Sequence, residues 1–173
     1  MLKGFFKTPI AVNEPIKSYA SGSSERKELQ AMLKNLRSQE IEIPMYIGKE
    51  RVKSQEKIRL APPHDHQHTL GYYYKSNKSH IQMAIDAALA AKTNWANLAW
   101  EQRAAIFLKA AELIAGPYRA KLNAATMLGQ SKNAFQAEID SACEIIDFLR
   151  FNVQYMTEIY ADQPISLQAF GIE

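Results

Sequence analysis

Helix punctuation dominates the second half of this 173-residue chain and sets narrow limits on its fold. Ser79-His80-Ile81-Gln82 reads as a capping box, in which a serine oxygen and a glutamine side chain satisfy two backbone groups that a helix start leaves orphaned. An alanine-rich helix follows, to about Trp95. Glu101 to Ala115 places Ile106, Phe107, Ala110, Leu113 and Ile114 on one broad stripe. Gly116-Pro117 predicts the end of that helix and the start of the next, with glycine at a left-handed C′ position and proline at the first helical position. Gly129 is expected to stop the third helix. Asn133 and Gln136 repeat the cap pattern and open a long helix to about Ile159.

The first half reads differently. Pro9, Pro15 and the Ser21-Gly22-Ser23-Ser24 cluster interrupt any period, so residues 1–22 are expected to form an extended arm that needs a surface to lie on. Ser24 is the expected cap of a helix from Glu25 to about Ser38, with Leu29, Met32, Leu33 and Leu36 at helical spacing. From Ile41 the pattern turns to short β-type runs, Ile43 to Ile47 and Glu50-Arg51-Val52 around Gly48, then Lys57 to Leu60 and Thr69 to Tyr74. Two hairpin-like units are the simplest reading, with no parallel βαβ unit. The expected fold class is mostly α with a small antiparallel β portion. The segments are an arm and helix over 1–40, strands over 41–76, a helical region over 77–160 and a tail over 161–173.

Composition narrows the function. An apolar content of 47% supports a packed core, and a formal charge of +3 spread among acidic neighbours leaves no electrostatic footprint for nucleic acid. Cys143 is the single cysteine and has no partner for an internal disulfide, which points to a reducing, cytoplasmic setting. No stretch approaches the ~20 apolar residues of a membrane span. The opening Phe5-Phe6 step before Lys7 is too short for the apolar core of a signal peptide.

Three features are candidates for chemistry. His64-Asp65-His66-Gln67-His68 contains ordinary metal-ligand types, but Pro62 and Pro63 before it favour a solvated turn, and no fourth ligand is apparent. Cys143 falls on the apolar stripe of the last helix with Ile139, Ala142, Ile146 and Val153, about ten residues from the helix start, so a buried structural thiol is favoured over a nucleophile. Glu138 is misplaced: at ~100° per residue it lies with Phe135, Ala142, Ile145 and Leu149, among apolar groups that an ionised carboxylate tolerates only if paired. A partner within the fold, a cationic ligand and the favourable first turns of a helix are the open alternatives. No P-loop, glycine-rich strand-to-helix turn or nucleophile motif stands in the sequence.

Several stretches resemble pyrroline-5-carboxylate dehydrogenases, in that family's order. Asn13-Glu14-Pro15, then Gly22-Ser23-Ser24-Glu25-Arg26, is similar to its opening. Ala87 to Ala91 with Trp95, and Arg103 to Ala111, resemble the first helices of most aldehyde dehydrogenases. The sharpest similarity is Met127-Leu128-Gly129-Gln130-Ser131-Lys132, Gln136-Ala137-Glu138-Ile139-Asp140 and Ile146-Asp147-Phe148-Leu149-Arg150-Phe151-Asn152, where the family usually reads MxGQGKT, QAEID and IDFxRFN. Ser131 and Asn133 thus replace a glycine and a threonine.

The resemblance implies the N-terminal part of an α/β aldehyde dehydrogenase fold lacking the Rossmann core, with residues 77–160 flanking the missing NAD-binding domain and 161–173 starting an extension toward the oligomerisation region. The complete enzyme would oxidise L-glutamate γ-semialdehyde to glutamate with NAD in proline breakdown, using a cysteine nucleophile and a glutamate base that lie outside this chain. No catalytic, cofactor-binding or metal residue carries over. Glu138, the glutamate of QAEID, is the one substrate-side residue implied, facing the ammonium group. The chain is expected to be inactive alone, to take no NAD itself, and to self-associate or form homo-oligomers through exposed apolar helices. A stand-alone helical scaffold derived from the enzyme is the competing expectation.

Overall fold

The computed structural model describes residues 6–162, so the tail expected over 163–173 lies outside the described residues. Residues 6–22 form no regular element and run along the helical body as an arm. Helix α1 spans Ser24–Arg37, and its cap is Ser23, one residue earlier than expected, whose Oγ accepts from the Arg26 amide. Its stripe, with Leu29 buried and Met32, Leu33 and Leu36 beside it, packs with Tyr19, Ala124, Met127 and Ala134.

Five short strands follow: β1 (Ile41–Ile43), β2 (Met45–Ile47), β3 (Glu50–Val52), β4 (Lys57–Leu60) and β5 (Gly71–Tyr74). The two expected hairpin units are present as antiparallel pairs, β2 with β3 and β4 with β5. The two-hairpin reading left out a third pairing, of β1 parallel to β5 in the order β1-β5-β4. Pro44, which lacks a donor, separates β1 from β2. Gly71 makes the parallel pairing possible: a Cβ there would stand 2.1 Å from the Ile41 carbonyl oxygen.

The helices are α2 (Lys78–Asn97), α3 (Trp100–Ala115), α4 (Arg119–Gln130), a short α5 (Ala134–Ala137), a π-helical segment (Glu138–Cys143) and α6 (Glu144–Ala161). Three expected boundaries move. The α2 box is made by Asn77 and His80, since Asn77 Oδ1 accepts from the His80 amide and His80 Nδ1 accepts from the Asn77 amide, while Ser79 only donates to Asn77. Gly116 is not left-handed (φ −100), and the wide bond from the Tyr118 amide to the Leu113 carbonyl leaves Pro117 in the turn, so α4 begins at Arg119. Gly129 stays helical, and the left-handed stop is Ser131 (φ 58). A non-glycine residue there is held by His64 Nδ1, 2.7 Å from Ser131 Oγ. The Asn133–Gln136 box stands as expected.

The long final helix is not uniform. The π-helical segment inserts a wider turn, so residues on either side of it no longer share one 100° projection. Phe135 and Ile145, expected beside Glu138, are exposed, whereas Glu138 has no exposed surface. Ala142 and Ile146 do turn inward as expected, packing with Ala111 of α3 and with Ile114, Ala115 and Leu149.

Candidate functional site

Glu138 opens the π-helical segment and points its carboxylate under the arm. Oε1 accepts from the Lys17 amide at 2.8 Å, and Oε2 accepts from the Tyr19 hydroxyl at 2.7 Å and Asn123 Nδ2 at 2.8 Å. The guanidinium of Arg119, 3% exposed, donates to both oxygens through Nε and forms an ion pair through Nη2. Of the open alternatives for this misplaced carboxylate, a partner within the fold is therefore present. Burial works against the charge, but the bonds from Arg119, Lys17, Tyr19 and Asn123 outweigh it and hold the carboxyl at about 2.

Charges alternate outward from this point. Arg119 also pairs with Glu14 of the arm and donates to the Pro15 carbonyl at 2.8 Å, and Glu14 receives Arg150 of α6 at 2.6 Å. Burial disfavours the Arg119 charge, yet Glu138 and Glu14 keep its pKa above the ordinary arginine value. Burial and then Glu138 likewise push the Tyr19 hydroxyl above its usual range, so it remains a donor. Tyr19 occupies the left-handed region (φ 52), which costs a side-chain-bearing residue about 1–2 kcal/mol. Its two hydrogen bonds, to Glu138 and from Asn123 at 2.9 Å, offset that strain.

The arm is strapped down at three backbone amides, each three residues from the next. Ala11 donates to Gln154 Oε1 at 2.8 Å, Glu14 to Asp147 Oδ1 at 2.6 Å and Lys17 to Glu138. An extended segment has no partners of its own for these donors, and side chains of α6 and the π-helical segment supply them.

Cys143 is buried beside this network, its Sγ 3.8 Å from Glu138 Oε1 and 3.5 Å from Arg119 Nη2. Burial, then the Glu138 charge, push the thiol up to about 11, the opposite of what a nucleophile needs. Modification by a thiol reagent is expected to be at least about tenfold slower than for free cysteine, and Cys143→Ala to cost about 1 kcal/mol. Reaction at the free-cysteine rate in the folded protein would contradict the placement.

The histidine run forms the turn between β4 and β5. Its carbonyls at His66 and His68 receive Arg59, Asp65 pairs with Arg37, and His64 meets Ser131. Among the described residues no three His, Cys, Asp or Glu side chains are grouped to hold a metal ion. Nor do the described glycines form a strand-to-helix phosphate turn: Gly48 lies in the β2–β3 turn, Gly71 in a strand, and Gly22, Gly116 and Gly129 beside or within helix ends.

Sequence reasoning found Glu138 and missed its partners. Arg119 and Asn123, four residues apart on α4, share a face and are both buried, but Leu128 stands opposite Arg119, so no single apolar stripe marked the pair in the sequence.

Residues 51–170 match the aldehyde dehydrogenase family. The chain belongs to that family. It is 48% identical over 160 residues to the delta-1-pyrroline-5-carboxylate dehydrogenase of Agaricus bisporus, covering 92% of this chain and 29% of that protein. It is 43% identical over 155 residues to the mouse protein named delta-1-pyrroline-5-carboxylate dehydrogenase, mitochondrial, covering 90% of this chain and 28% of the relative. Among solved structures, the Mycobacterium tuberculosis delta-pyrroline-5-carboxylate dehydrogenase bound with NAD superposes with a TM-score of 0.92 at 43% identity, over 96% of this chain and 31% of that one. The chain thus spans less than a third of the length of the curated relatives it matches. The mostly helical body with its small sheets is one part of the aldehyde dehydrogenase fold.

Proposed function

We propose that this aldehyde dehydrogenase segment serves an NAD-dependent 1-pyrroline-5-carboxylate dehydrogenase that oxidises L-glutamate γ-semialdehyde to glutamate, and that it turns over no substrate by itself. Similarity to proteins of that name along nine-tenths of the chain, over less than a third of their length, carries the reading. NAD would be held by parts of the fold beyond these residues. A cytoplasmic setting is proposed from the lone cysteine alone, and several relatives are named as mitochondrial.

Within this reading Glu138 is the substrate-side carboxylate, meeting the ammonium group of the semialdehyde. Its place at the head of a π-helical segment supports the assignment, since such insertions are frequent at functional sites. Two of its present donors, the Lys17 amide and the Tyr19 hydroxyl, belong to the arm, so an ammonium group would take over acceptor capacity that the arm now fills.

The test uses the chain joined to the rest of a pyrroline-5-carboxylate dehydrogenase. Glu138→Gln is expected to lower kcat/KM for glutamate semialdehyde about five- to 150-fold, the equivalent of roughly 1–3 kcal/mol, and to leave an aliphatic aldehyde without an amino group nearly unaffected. Equal loss on both substrates, or a lower Tm with intact kinetics, would assign Glu138 to the fold alone.

A further inference from the structure

Asn13 of the arm and one face of α6 line an open recess of about 440 Å³. At ~100° per residue, Glu144, Phe148, Phe151 and Tyr155 fall within one narrow stripe of that helix. The rings of Phe151 and Tyr155 pack at 6.1 Å, and Phe148 is 62% exposed beside them. Two carboxylates border these rings, and no lysine, arginine or histidine does so among the described residues. Asp147 is committed to the arm, Oδ1 accepting from the Glu14 amide and Oδ2 from Asn13 Nδ2. Glu144 has no side-chain hydrogen bond or ion pair among the described residues. The side-chain carbonyl of Asn13 is equally uncommitted among them, because its bond to Asp147 uses the amide nitrogen. On a chain of formal charge +3, this recess therefore combines negative charge, aromatic surface and two open acceptors.

We propose that the recess binds a protonated primary amine carried on an apolar, preferably aromatic, body. The ligand is set by charge and by hydrogen-bond inventory together. Aromatic rings attract a cation, and an exposed ring gains further from covering by an apolar group. An ammonium group also has N–H donors for both Glu144 and the Asn13 carbonyl, which a quaternary ammonium lacks. Asp147 adds its negative field without giving up its bonds to the arm. An α-amino acid is excluded, because its carboxylate would face Glu144 and Asp147. The recess is thus selective for amines over zwitterions, and the proposal does not depend on the reading of Glu138.

The experiment titrates the 173-residue chain with phenethylamine at neutral pH, following heat and backbone amide chemical shifts. Saturable one-to-one binding is expected, with the largest shifts at Asn13 and from Glu144 to Tyr155. Phenylalanine differs from this probe by an added carboxylate, and phenethyl alcohol by the missing charge. Both are expected to bind about fivefold or more weakly than the amine. Glu144→Gln should weaken the amine by about fivefold and leave phenethyl alcohol unchanged, whereas Phe148→Ala should weaken both. Both side chains are exposed, so neither substitution opens the core. Comparing the three ligands on the parent chain decides the proposal even where a variant fails to fold. No saturation by about 10 mM amine overturns it. So does phenylalanine or phenethyl alcohol binding as tightly as the amine, an unchanged affinity in folded Glu144→Gln, or shifts centred away from α6.

Discussion

Arg119→Met is expected to destabilise the chain by about 3–5 kcal/mol, because it leaves Glu138 without the cation that compensates its burial. Glu14 would keep Arg150, but among the described residues Glu138 has no second cation. For a domain of this size the loss corresponds to a fall in Tm of about 6–20 °C. The double variant Arg119→Met, Glu138→Leu should recover most of that loss, since removing both charges also removes their desolvation. Arg119→Lys should fall between, keeping the charge but losing the forked donors that reach Glu138, Glu14 and Pro15 at once. Urea unfolding measures all three. A loss below about 1 kcal/mol for Arg119→Met would mean that the alternating charges contribute no cohesion.

Acid should loosen the arm. The Glu138 carboxyl is depressed from 4.5 to about 2 in the folded chain, so between those values the unfolded chain binds more protons than the folded one. The stabilisation is therefore complete above pH 4.5 and is lost as pH falls toward 2, amounting to about 3 kcal/mol. Tyr19 has the opposite sign: its raised pKa gives a contribution that persists below pH 10 and is lost as pH climbs past that value. Unfolding free energies across the acid range should slope downward for the parent and much less for Glu138→Gln. Parallel slopes for the two proteins would place the acid response elsewhere.

Local signals were legible where one residue type does one job. The Asn133–Gln136 box, the inward placement of Ala142, Cys143, Ile146 and Val153, and the need of the arm for a surface all follow from capping chemistry and helical period. Glu138 was visible as a carboxylate out of place. Its setting was not, because the π-helical turn shifts the phase on which the projection relies, and because Glu14 and Arg119 meet across more than a hundred residues. The parallel pairing of β1 with β5 was hidden for the same reason: nothing local to Ile41 announces a partner at Gly71. At Ser131 the helix end was decided by a contact from outside the helix, since His64 holds a conformation that glycine would have adopted freely.

The central claim, that these residues are one part of a pyrroline-5-carboxylate dehydrogenase and work only with the rest of it, is tested most directly by turnover. Reduction of NAD in the presence of glutamate semialdehyde is measured for the 173-residue chain alone and for the chain joined to the complementary part of a relative. The account predicts no rate above the enzyme-free blank for the chain alone and clear turnover for the joined protein. Turnover by the chain alone, abolished by a substitution within it, or none by a soluble, folded joined protein, would contradict it.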